Sequence, residues 1–371
     1  MRILVVGDFC PQNSVAQLIE KGEIASVLGE TKEVVSKANY RIVNFECPVC
    51  KGGEKPIQKL GPNLCCSEKG IEAIKWAGFD CVTLANNHFY DFGDEGVKKT
   101  IEKCRQEGID TVGGGTNINE SSAILYKLIG DKTLAIINCC EHEFSIATES
   151  HGGANPLNPV QQYYAIQQAK QKSDYVLVIV HGGHEHWQLP SPRMKETYRF
   201  FIDAGADSVV NHHQHCYSGY EVYNGKPIFY GLGNFCFERS GNWGDKWYEG
   251  IVIMLSFNES GVDYEIYPYN QCKDQPSVKF LDHNAFDRRL AELNTIIQDD
   301  KRLTEETEKY YATAQDKIEE LFEPLDGRYF LAGKRRGWFP SLISKKRKLL
   351  AENQICCEAH RDKMMYWFKK E

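Results

Sequence analysis

The sequence predicts an α/β fold, and three observations support that prediction. Short apolar runs rich in β-branched residues recur at residues 2–6, 41–45, 81–85, 134–138, 175–180 and 207–210. Helical patterns lie between several of these runs, and polar side chains of the kind that bind metals follow most of them. Strands that alternate with helices are typical of an α/β sheet, in which the carboxyl ends of parallel strands meet at one edge.

Four helices are predicted between these strands, over residues 67–77, 94–107, 159–172 and 192–204. Ser67 begins the first of these segments and is a possible N-cap, because its hydroxyl can accept a hydrogen bond from a free backbone N–H. Gly78, Gly108 and Gly205 follow three of the segments, and glycine after a helical pattern is a typical stop signal.

From about residue 218 the pattern changes to antiparallel strands. The segments 219–223 and 226–230 flank Asn224-Gly225, and Asn-Gly is the strongest short hairpin signal. A second alternating pair, 250–257 and 262–267, surrounds residues 258–261. The second half of the sequence therefore predicts a mixed or two-sheet core.

Beyond about residue 284 the chain becomes helical and strongly charged. Acids cluster first, and a basic segment without intervening acids follows, with Lys334, Arg335, Arg336, Lys345, Lys346, Arg347 and Lys348. We interpret this region as a solvated helical face, with a contact for an anionic polymer, a phosphate surface or a partner as the alternative. The predicted organisation is a main domain over residues 1–280 and a charged helical extension over residues 281–371, packed on or beside it.

The bulk composition limits the classes of function. The 371 residues are 42% hydrophobic and 26% charged, which is ordinary for a globular protein, and the formal net charge is −7. That negative balance argues against a general polyanion binder, so no nucleic-acid partner is predicted. No apolar run approaches the length of a membrane span or a signal-peptide core, and we predict a cytoplasmic protein without a transmembrane segment.

The 14 cysteines are interpreted as reduced thiols, because no export signal is visible. Cys47-Pro48-Val49-Cys50 has the spacing of a redox or zinc pair. It lacks a second such pair and a thioredoxin-like context, so the redox or zinc role is the alternative interpretation.

The polar residues at the predicted strand ends form a possible metal site. A carboxylate, an amide or an imidazole follows the apolar runs at residues 2–6, 41–45, 81–85, 175–180 and 207–210. The six candidate ligands are Asp8, Glu46, Asn87, His181, His213 and His215. These side chains bind hard or borderline divalent cations. Together they predict a two-metal site, with ions about 3.5–4 Å apart that hold a phosphoryl or carbonyl oxygen and activate water.

His88 and Asp91 are the candidate catalytic residues beside these ligands. His88 follows Asn87 directly and could act as an acid or stabilise a developing negative charge. Asp91, three residues later, could hold the imidazole in one tautomer. Its alternative role is to cap the helix that begins near residue 94.

These motifs, in their order along the chain, resemble those of the CapA family, the bacterial capsule or poly-γ-glutamate synthesis proteins. The matching segments are Gly7-Asp8, Asn44-Phe45-Glu46, residues 84–93, residues 181–185, residues 212–215 and residues 221–235. The resemblance covers about residues 1–270. That family is in turn similar to the calcineurin-like metallophosphoesterases.

The resemblance implies a four-layer α/β/β/α sandwich with a dimetal site at the strand ends. It implies that one ion is held by Asp8, Glu46 and His215. The second ion takes Glu46 as a bridging ligand, together with Asn87, His181 and His213. The two divalent ions would be manganese, iron, zinc or magnesium. His88 would be the general acid or transition-state stabiliser, with Asp91 as its orienting partner.

Cys10 is the main departure at the first strand. Members of the wider superfamily carry a histidine there, whereas this chain has Asp8-Phe9-Cys10. A buried thiol is the favoured interpretation of Cys10, and a thiolate ligand is the alternative.

Two functions follow from these residues. The first is a phosphoesterase-like, metal-dependent hydrolase that acts on a phosphorylated or anionic small molecule or polymer. The alternative is a non-catalytic accessory or anionic-polymer-binding protein in capsule or envelope biosynthesis. The histidines around the main motifs, His142, His151, His184 and His186, are expected to line the pocket, with Glu185 on the substrate side. The oligomeric state is left without a prediction.

Overall fold

Two large β-sheets pack face to face at the centre of the protein. The computed structural model describes residues 1–241, 243–313, 336, 338 and 344–369. The first sheet has eight strands, in the order β16-β15-β14-β1-β2-β3-β4, with β13 also paired to β1. These strands are β1 (Arg2–Phe9), β2 (Tyr40–Phe45), β3 (Cys81–Thr83), β4 (Asp110–Val112), β13 (Asn234–Cys236), β14 (Glu249–Asn258), β15 (Gly261–Gln271) and β16 (Val278–Phe280).

The second sheet has six strands, in the order β11-β12-β10-β9-β7-β6. They are β6 (Leu125–Ile129), β7 (Lys132–Cys140), β9 (Tyr175–His181), β10 (Ser208–His212), β11 (Tyr220–Tyr223) and β12 (Lys226–Phe229). The short strands β5 (Gly114–Gly115) and β8 (Gly153–Ala154) form a separate pair. Strands β1 to β4 are parallel, and so are β7, β9, β10 and β12, so polar residues at their carboxyl ends gather at one edge of each sheet.

Thirteen helices are found in the described part of the chain. They are α1 (Asn13–Glu20), α2 (Ile24–Leu28), α3 (Thr31–Val35), α4 (Lys69–Ala77), α5 (Gly93–Gln106), α6 (Ile118–Ser121), α7 (Pro159–Lys172), α8 (Pro192–Asp203), α9 (Asp245–Tyr248), α10 (Asp287–Gln298), α11 (Asp300–Ala312), α12 (Lys345–Cys356) and α13 (Glu358–Lys369).

Side-chain alternation along β1 shows how the layers stack. Ile3 and Val5 belong to the hydrophobic cluster that lies between the two sheets. Leu4 and Val6 point to the opposite face and pack with the helices α1 to α5. The second sheet is covered on its outer face by α7 and α8, whose buried side chains join the first of these clusters. The predicted four-layer α/β/β/α sandwich is therefore confirmed.

Turn and helix-end residues in the sequence predicted several boundaries of strands and helices correctly. The hairpin turn at Asn224 and Gly225 has positive φ at both residues, 49° and 75°, as a type I′ turn requires. Gly78 ends α4 with φ of 94°. The predicted N-cap was one residue off, because Glu68 rather than Ser67 occupies the N-cap position of α4. The Ser67 hydroxyl still accepts a hydrogen bond from the backbone N–H of Lys69, at 3.3 Å.

The helices after residue 284 contact the rest of the molecule. Leu290, Leu293 and Ile297 of α10 and Leu303 of α11 are buried in the cluster between the sheets and the outer helices. Helix α13 packs on α11. The division of the chain at residue 280 stays a prediction, and of the predicted basic segment Lys334 and Arg335 lie outside the described residues.

Among the helices that the structure describes, none has the length and apolar character needed to cross a lipid bilayer. The predicted cytoplasmic location stays a prediction.

Candidate metal centre

The six predicted ligands lie together where the two sheets meet at their carboxyl ends. Asp8 is in β1, His181 ends β9, and Glu46 follows β2 directly. The other three residues, Asn87, His213 and His215, follow β3 and β10. All six side chains are buried, although none of them is an apolar residue.

One group consists of Asp8, Glu46 and His215. Their candidate ligand atoms all lie within 4.8 Å of one another. His215 Nε2 is 3.6 Å from Glu46 Oε1, and His215 Nδ1 is 3.6 Å from Asp8 Oδ2. This spacing leaves room for one cation between two carboxylates and an imidazole.

A second group consists of Glu46, His181 and His213, again within 4.8 Å of one another. His181 Nε2 lies 3.8 Å from Glu46 Oε1 and 3.1 Å from His213 Nδ1. Asn87 joins this group, because its Oδ1 is 3.0 Å from His181 Nε2. The two groups share Glu46 and divide the histidines as the resemblance implies; the binding of metal itself stays a prediction.

The environment of Glu46 indicates whether these residues suit a pair of cations. Its side chain is 0% exposed, and among the described residues neither carboxylate oxygen has a hydrogen-bond partner. Burial, and then the charge of Asp8, raise the pKa of Glu46 well above its ordinary value. A buried carboxylate without partners costs several kcal/mol unless a cation neutralises it. The donor set therefore fits divalent ions.

The backbone after β10 turns both histidines toward this space. His213 has φ of 88° and His215 has φ of 54°, which is the left-handed region that residues other than glycine rarely adopt. The backbone N–H of His213 donates to Asp8 Oδ2 at 3.3 Å. This turn would allow both imidazoles to reach the same pair of ions.

Asparagine side chains orient the candidate ligands. Asn44 Nδ2 donates to Asp8 Oδ1 at 2.7 Å. His215 Nδ1 lies 2.9 Å from Asn234 Oδ1, so an Nδ1–H donor would leave Nε2 directed at Glu46. Asn234 is in turn fixed through its amide nitrogen, which donates to the backbone carbonyl groups of His215 and Trp247. Asn234 is itself fully buried.

Burial favours the neutral imidazole of both His215 and His181 at physiological pH. It lowers the pKa of His215 to about 4 and, with the neighbouring His213, lowers the pKa of His181 well below its ordinary value. Neutral imidazole is the form that binds metal ions.

His88 and Asp91, the predicted catalytic pair, are in contact. His88 Nδ1 lies 2.7 Å from Asp91 Oδ2, and that oxygen also accepts the backbone N–H of Leu64 at 2.7 Å. The Asp91 carboxylate therefore contacts residues outside α5. The N-cap position of α5 is Phe92, so Asp91 does not have the alternative capping role. Burial lowers the pKa of His88, and the nearby Lys59 adds to that effect.

Lys59 is a site residue that sequence reasoning missed. Its side chain is buried, its Nζ contacts Asp91 Oδ1, and it lies 3.1 Å from His88 Nδ1. Burial lowers the pKa of Lys59, while the charge of Asp91 opposes that shift. Lys59 lies outside any regular element, in a stretch without the strand-end pattern that pointed to the other residues.

A cavity of about 430 Å³ opens beside the two groups. Its lining includes the side chains of His88, His213 and His215 and the three cations Lys59, Arg239 and Lys363. The expected pocket residues His184, Glu185 and His186 also line it. Two other expectations were wrong: His142 pairs with Glu358, and His151 packs against Tyr90.

Cys10 is fully buried and belongs to neither ligand group. The spacing of Cys47 and Cys50 does not make them a pair. The Cys47 thiol contacts those of Cys10 and Cys66, and the Cys50 thiol contacts that of Cys65. All these cysteines are free thiols in the structure, in agreement with the interpretation of reduced cysteines.

Comparison with known proteins identifies relatives of this chain. The family model described as "Bacterial capsule synthesis protein PGA_cap" matches residues 2–239. The capsule biosynthesis protein CapA of Bacillus anthracis is 30% identical over 301 residues, which cover 78% of this chain and 72% of that protein. The PGA biosynthesis protein CapA of Bacillus subtilis (strain 168) is 30% identical over 242 residues, or 63% of this chain and 62% of that protein.

Among solved structures, the chain is similar to a 5'-nucleotidase precursor from Thermus thermophilus. The identity is 11%, the TM-score is 0.44, and the match covers 80% of this chain and 58% of that one. At these values the likeness supports no functional argument.

Proposed function

Because this chain belongs to the bacterial capsule synthesis protein family, we propose that it is a metal-dependent hydrolase of that family, with a phosphoesterase-like dimetal site. The proposed substrate is a phosphorylated or anionic small molecule or polymer of capsule or poly-γ-glutamate biosynthesis. The proposed ligands are Asp8, Glu46, Asn87, His181, His213 and His215.

The observation that supports the proposal is the state of Glu46. Its two oxygens are buried and unpartnered between Asp8 and His215 on one side and His181 and His213 on the other. A purely structural carboxylate would be paired, since unpaired buried charge is among the most destabilising features of a fold. Two divalent ions, when bound, would polarise a substrate oxygen and lower the pKa of water.

His88 is proposed to act on the leaving group. With Nδ1 directed at Asp91, its Nε2 is left to face the cavity that His88 lines. From there it would hold or donate a proton at the leaving oxygen, and Asp91 would fix the orientation of the ring. Lys59, through its contact with Asp91, is proposed to position this pair and to add positive charge beside the substrate.

The preference for an anionic substrate is inferred from the three cations around the cavity. Lys59 and Lys363 line it together with Arg239, whose guanidinium carbon lies 3.9 Å from the ring centroid of Trp243. Stacking on an aromatic ring holds an arginine in place while its edge stays able to bind an oxyanion. Phosphate and carboxylate groups would both satisfy this arrangement.

The experiment is metal analysis followed by an activity screen. Protein purified without chelator should contain close to two equivalents of metal that depend on Glu46. With added manganese it should hydrolyse a phosphodiester, a phosphomonoester or a γ-glutamyl amide substrate. Glu46→Gln should lose metal and activity together, whereas His88→Ala should keep the metal and lose turnover. Full activity in His88→Ala would refute the role of that residue.

The second candidate function is a non-catalytic accessory that binds an anionic polymer. It is favoured by one observation, the basic residues Lys345, Lys346, Arg347 and Lys348 at the start of α12, whose side chains are exposed. Protein that contains no metal and stays inert with manganese, but binds poly-γ-glutamate in a salt-dependent manner, would support this function and refute hydrolysis.

A further inference from the structure

We propose a third metal site, formed by Glu143, Cys357 and His360, that binds a zinc-like divalent cation and fastens the last helix to the wall of the cavity. One candidate ligand atom from each of the three residues lies within 4.8 Å of the other two. None of the three residues belongs to either ligand group at the strand ends, so the site does not depend on the proposed function.

The three ligands are distant in the sequence and are brought together by tertiary contacts. Glu143 follows β7, whereas Cys357 lies between α12 and α13 and His360 is in the first turn of α13. The Cys357 side chain is 1% exposed, so its thiol is sheltered from solvent. The charge of Glu143 acts on both the Cys357 thiol and the His360 ring, in agreement with the short distances among the three.

Several bonds fix the position of α13 on the loop that carries Glu143. Glu358 accepts the backbone N–H of His142 at 2.8 Å and also contacts its ring. Asp362 pairs with Arg193 at 2.6 Å, and the same guanidinium binds Glu141 at 2.6 Å. The proposed ligands are therefore held in place by contacts on both sides, independently of any cation.

The contact between His360 and Asn353 would leave Nε2 of the His360 ring available as the ligand atom. Nδ1 of His360 lies 2.6 Å from Oδ1 of Asn353, an acceptor that selects the Nδ1–H tautomer. Nε2 then carries the lone pair. A ligating histidine commonly donates its other N–H to such an acceptor, which sets the tautomer and the direction of the ring.

The chemical types of the three ligands determine which class of cation the site would bind. Thiolate, imidazole and carboxylate together favour zinc or cobalt over magnesium or calcium, which prefer oxygen ligands. Three protein ligands leave a fourth tetrahedral position. Glu143 and His360 both line the cavity, so that position would face the space that His88 also lines. The site would therefore take an anionic ligand group or a water molecule as its fourth ligand.

Cobalt(II) titration of the metal-free protein tests the proposal, because a cobalt–thiolate bond produces a charge-transfer absorption in the near ultraviolet. The ligand groups at the strand ends contain no cysteine. We expect the band to reach the intensity of one cobalt–thiolate bond per protein once all sites are filled, and to disappear when zinc is added. Cys357→Ser should abolish it and should lower the bound cobalt by one equivalent.

Matched variants separate this site from the others. Cys356→Ser changes the exposed neighbour and should keep the band, as should Cys10→Ser next to the strand-end groups. Glu46→Gln should lose the strand-end metals and keep the band, so failure of the proposed function would leave this result intact. His360→Ala should weaken cobalt binding at least tenfold. Absence of the band, or its survival in Cys357→Ser, would overturn the proposal.

A second measurement does not depend on cobalt. If the cation links Glu143 to α13, zinc should slow hydrogen exchange in residues 358–369 of the wild-type protein. The same addition should leave that exchange unchanged in Cys357→Ser. Equal exchange with and without zinc in the wild type would also contradict the site.

Discussion

Asp91 binds two different partners with its two carboxylate oxygens: Oδ2 lies 2.7 Å from Nδ1 of His88, and Oδ1 contacts Nζ of Lys59. Because Asp91 is fully buried, this single side chain sets the position of both an imidazole and a cation at the wall of the cavity. The proposed role of His88 as an acid, with Asp91 as its orienting carboxylate, requires such contacts.

Replacing Asp91 tests this role. Asp91→Asn should leave the metal content unchanged, because Asp91 belongs to neither ligand group. It should lower kcat by about 10²-fold or more, since a misoriented proton donor loses most of its contribution. Steady-state kinetics and elemental analysis on the same preparation check both expectations. If Asp91→Asn kept the wild-type kcat, Asp91 would have no part in the reaction.

Glu46→Gln separates metal binding from folding. In metal-free protein the substitution replaces a buried carboxyl group whose oxygens have no hydrogen-bond partner, so the free energy of unfolding should stay the same or rise. Manganese at 100 times its Kd should stabilise the wild type by about 2.7 kcal/mol for each ion bound and the variant by far less. Thermal unfolding with chelator and with manganese measures this difference. An equal shift in both proteins would show that Glu46 does not bind the ion.

Gly7 permits a close approach of two backbones beside the candidate site. A Cβ atom at this position would lie 1.8 Å from the carbonyl oxygen of Gly233. Gly7→Ala should therefore lower the free energy of unfolding by about 3 kcal/mol and weaken metal binding through the neighbouring Asp8. Gly22→Ala is the control: nothing lies within 4 Å of its Cβ, and its φ of 81° should cost only about 1 kcal/mol. Denaturant unfolding of the two variants makes the comparison.

The ion pair between His142 and Glu358 should make the docking of α13 depend on pH. The hydrogen bond to Glu358 raises the pKa of His142 above its ordinary value of 6.5. Burial raises the pKa of Glu358, but the hydrogen bonds from His142 outweigh it and leave that pKa below its ordinary value of 4.5. The stabilisation by His142 is complete below pH 6.5 and is lost as the pH rises through the raised pKa of His142. The stabilisation by Glu358 is complete above pH 4.5 and is lost only as the pH falls through the lowered pKa of Glu358.

Docking should therefore be tightest between about pH 4.5 and 6.5 and weaken as the pH rises through the raised pKa of His142. Hydrogen exchange of residues 358–369 in metal-free protein, corrected for the intrinsic exchange rate, measures it. His142→Asn should remove the pH dependence, while the nearby charges of Arg361 and Glu141 stay in place. A profile in the variant that matches the wild type would assign the dependence to another group.

Much of the fold could be predicted because its signals are local. The central strands are continuous apolar runs, and Asn224-Gly225 fixes one hairpin by backbone conformation alone. The strand-end positions of Asp8, Glu46 and His181 follow from the same pattern, since parallel strands present their carboxyl ends to one edge. Helix α1 and strand β6 were missed because each is short, with eight and five residues, and a short apolar run does not distinguish a helix from a strand.

The part of the site that escaped prediction is made by long-range packing. Lys59 comes from an irregular segment, and Lys363 and His360 come from a helix about 270 residues further along the chain than His88. No periodicity or spacing in the sequence indicates that α13 borders the cavity. His142 was expected in the pocket for its residue type, whereas the structure uses it to hold that helix.

The left-handed conformations of His213 and His215 weaken the folded state by roughly 1–2 kcal/mol for each residue. Glycine at either position would relieve the backbone, but it would also remove an imidazole from the strand ends. Stability and chemistry therefore oppose each other at these two positions. A related chain with glycine at both positions would lack two of the proposed metal ligands, and it could be more stable than this protein.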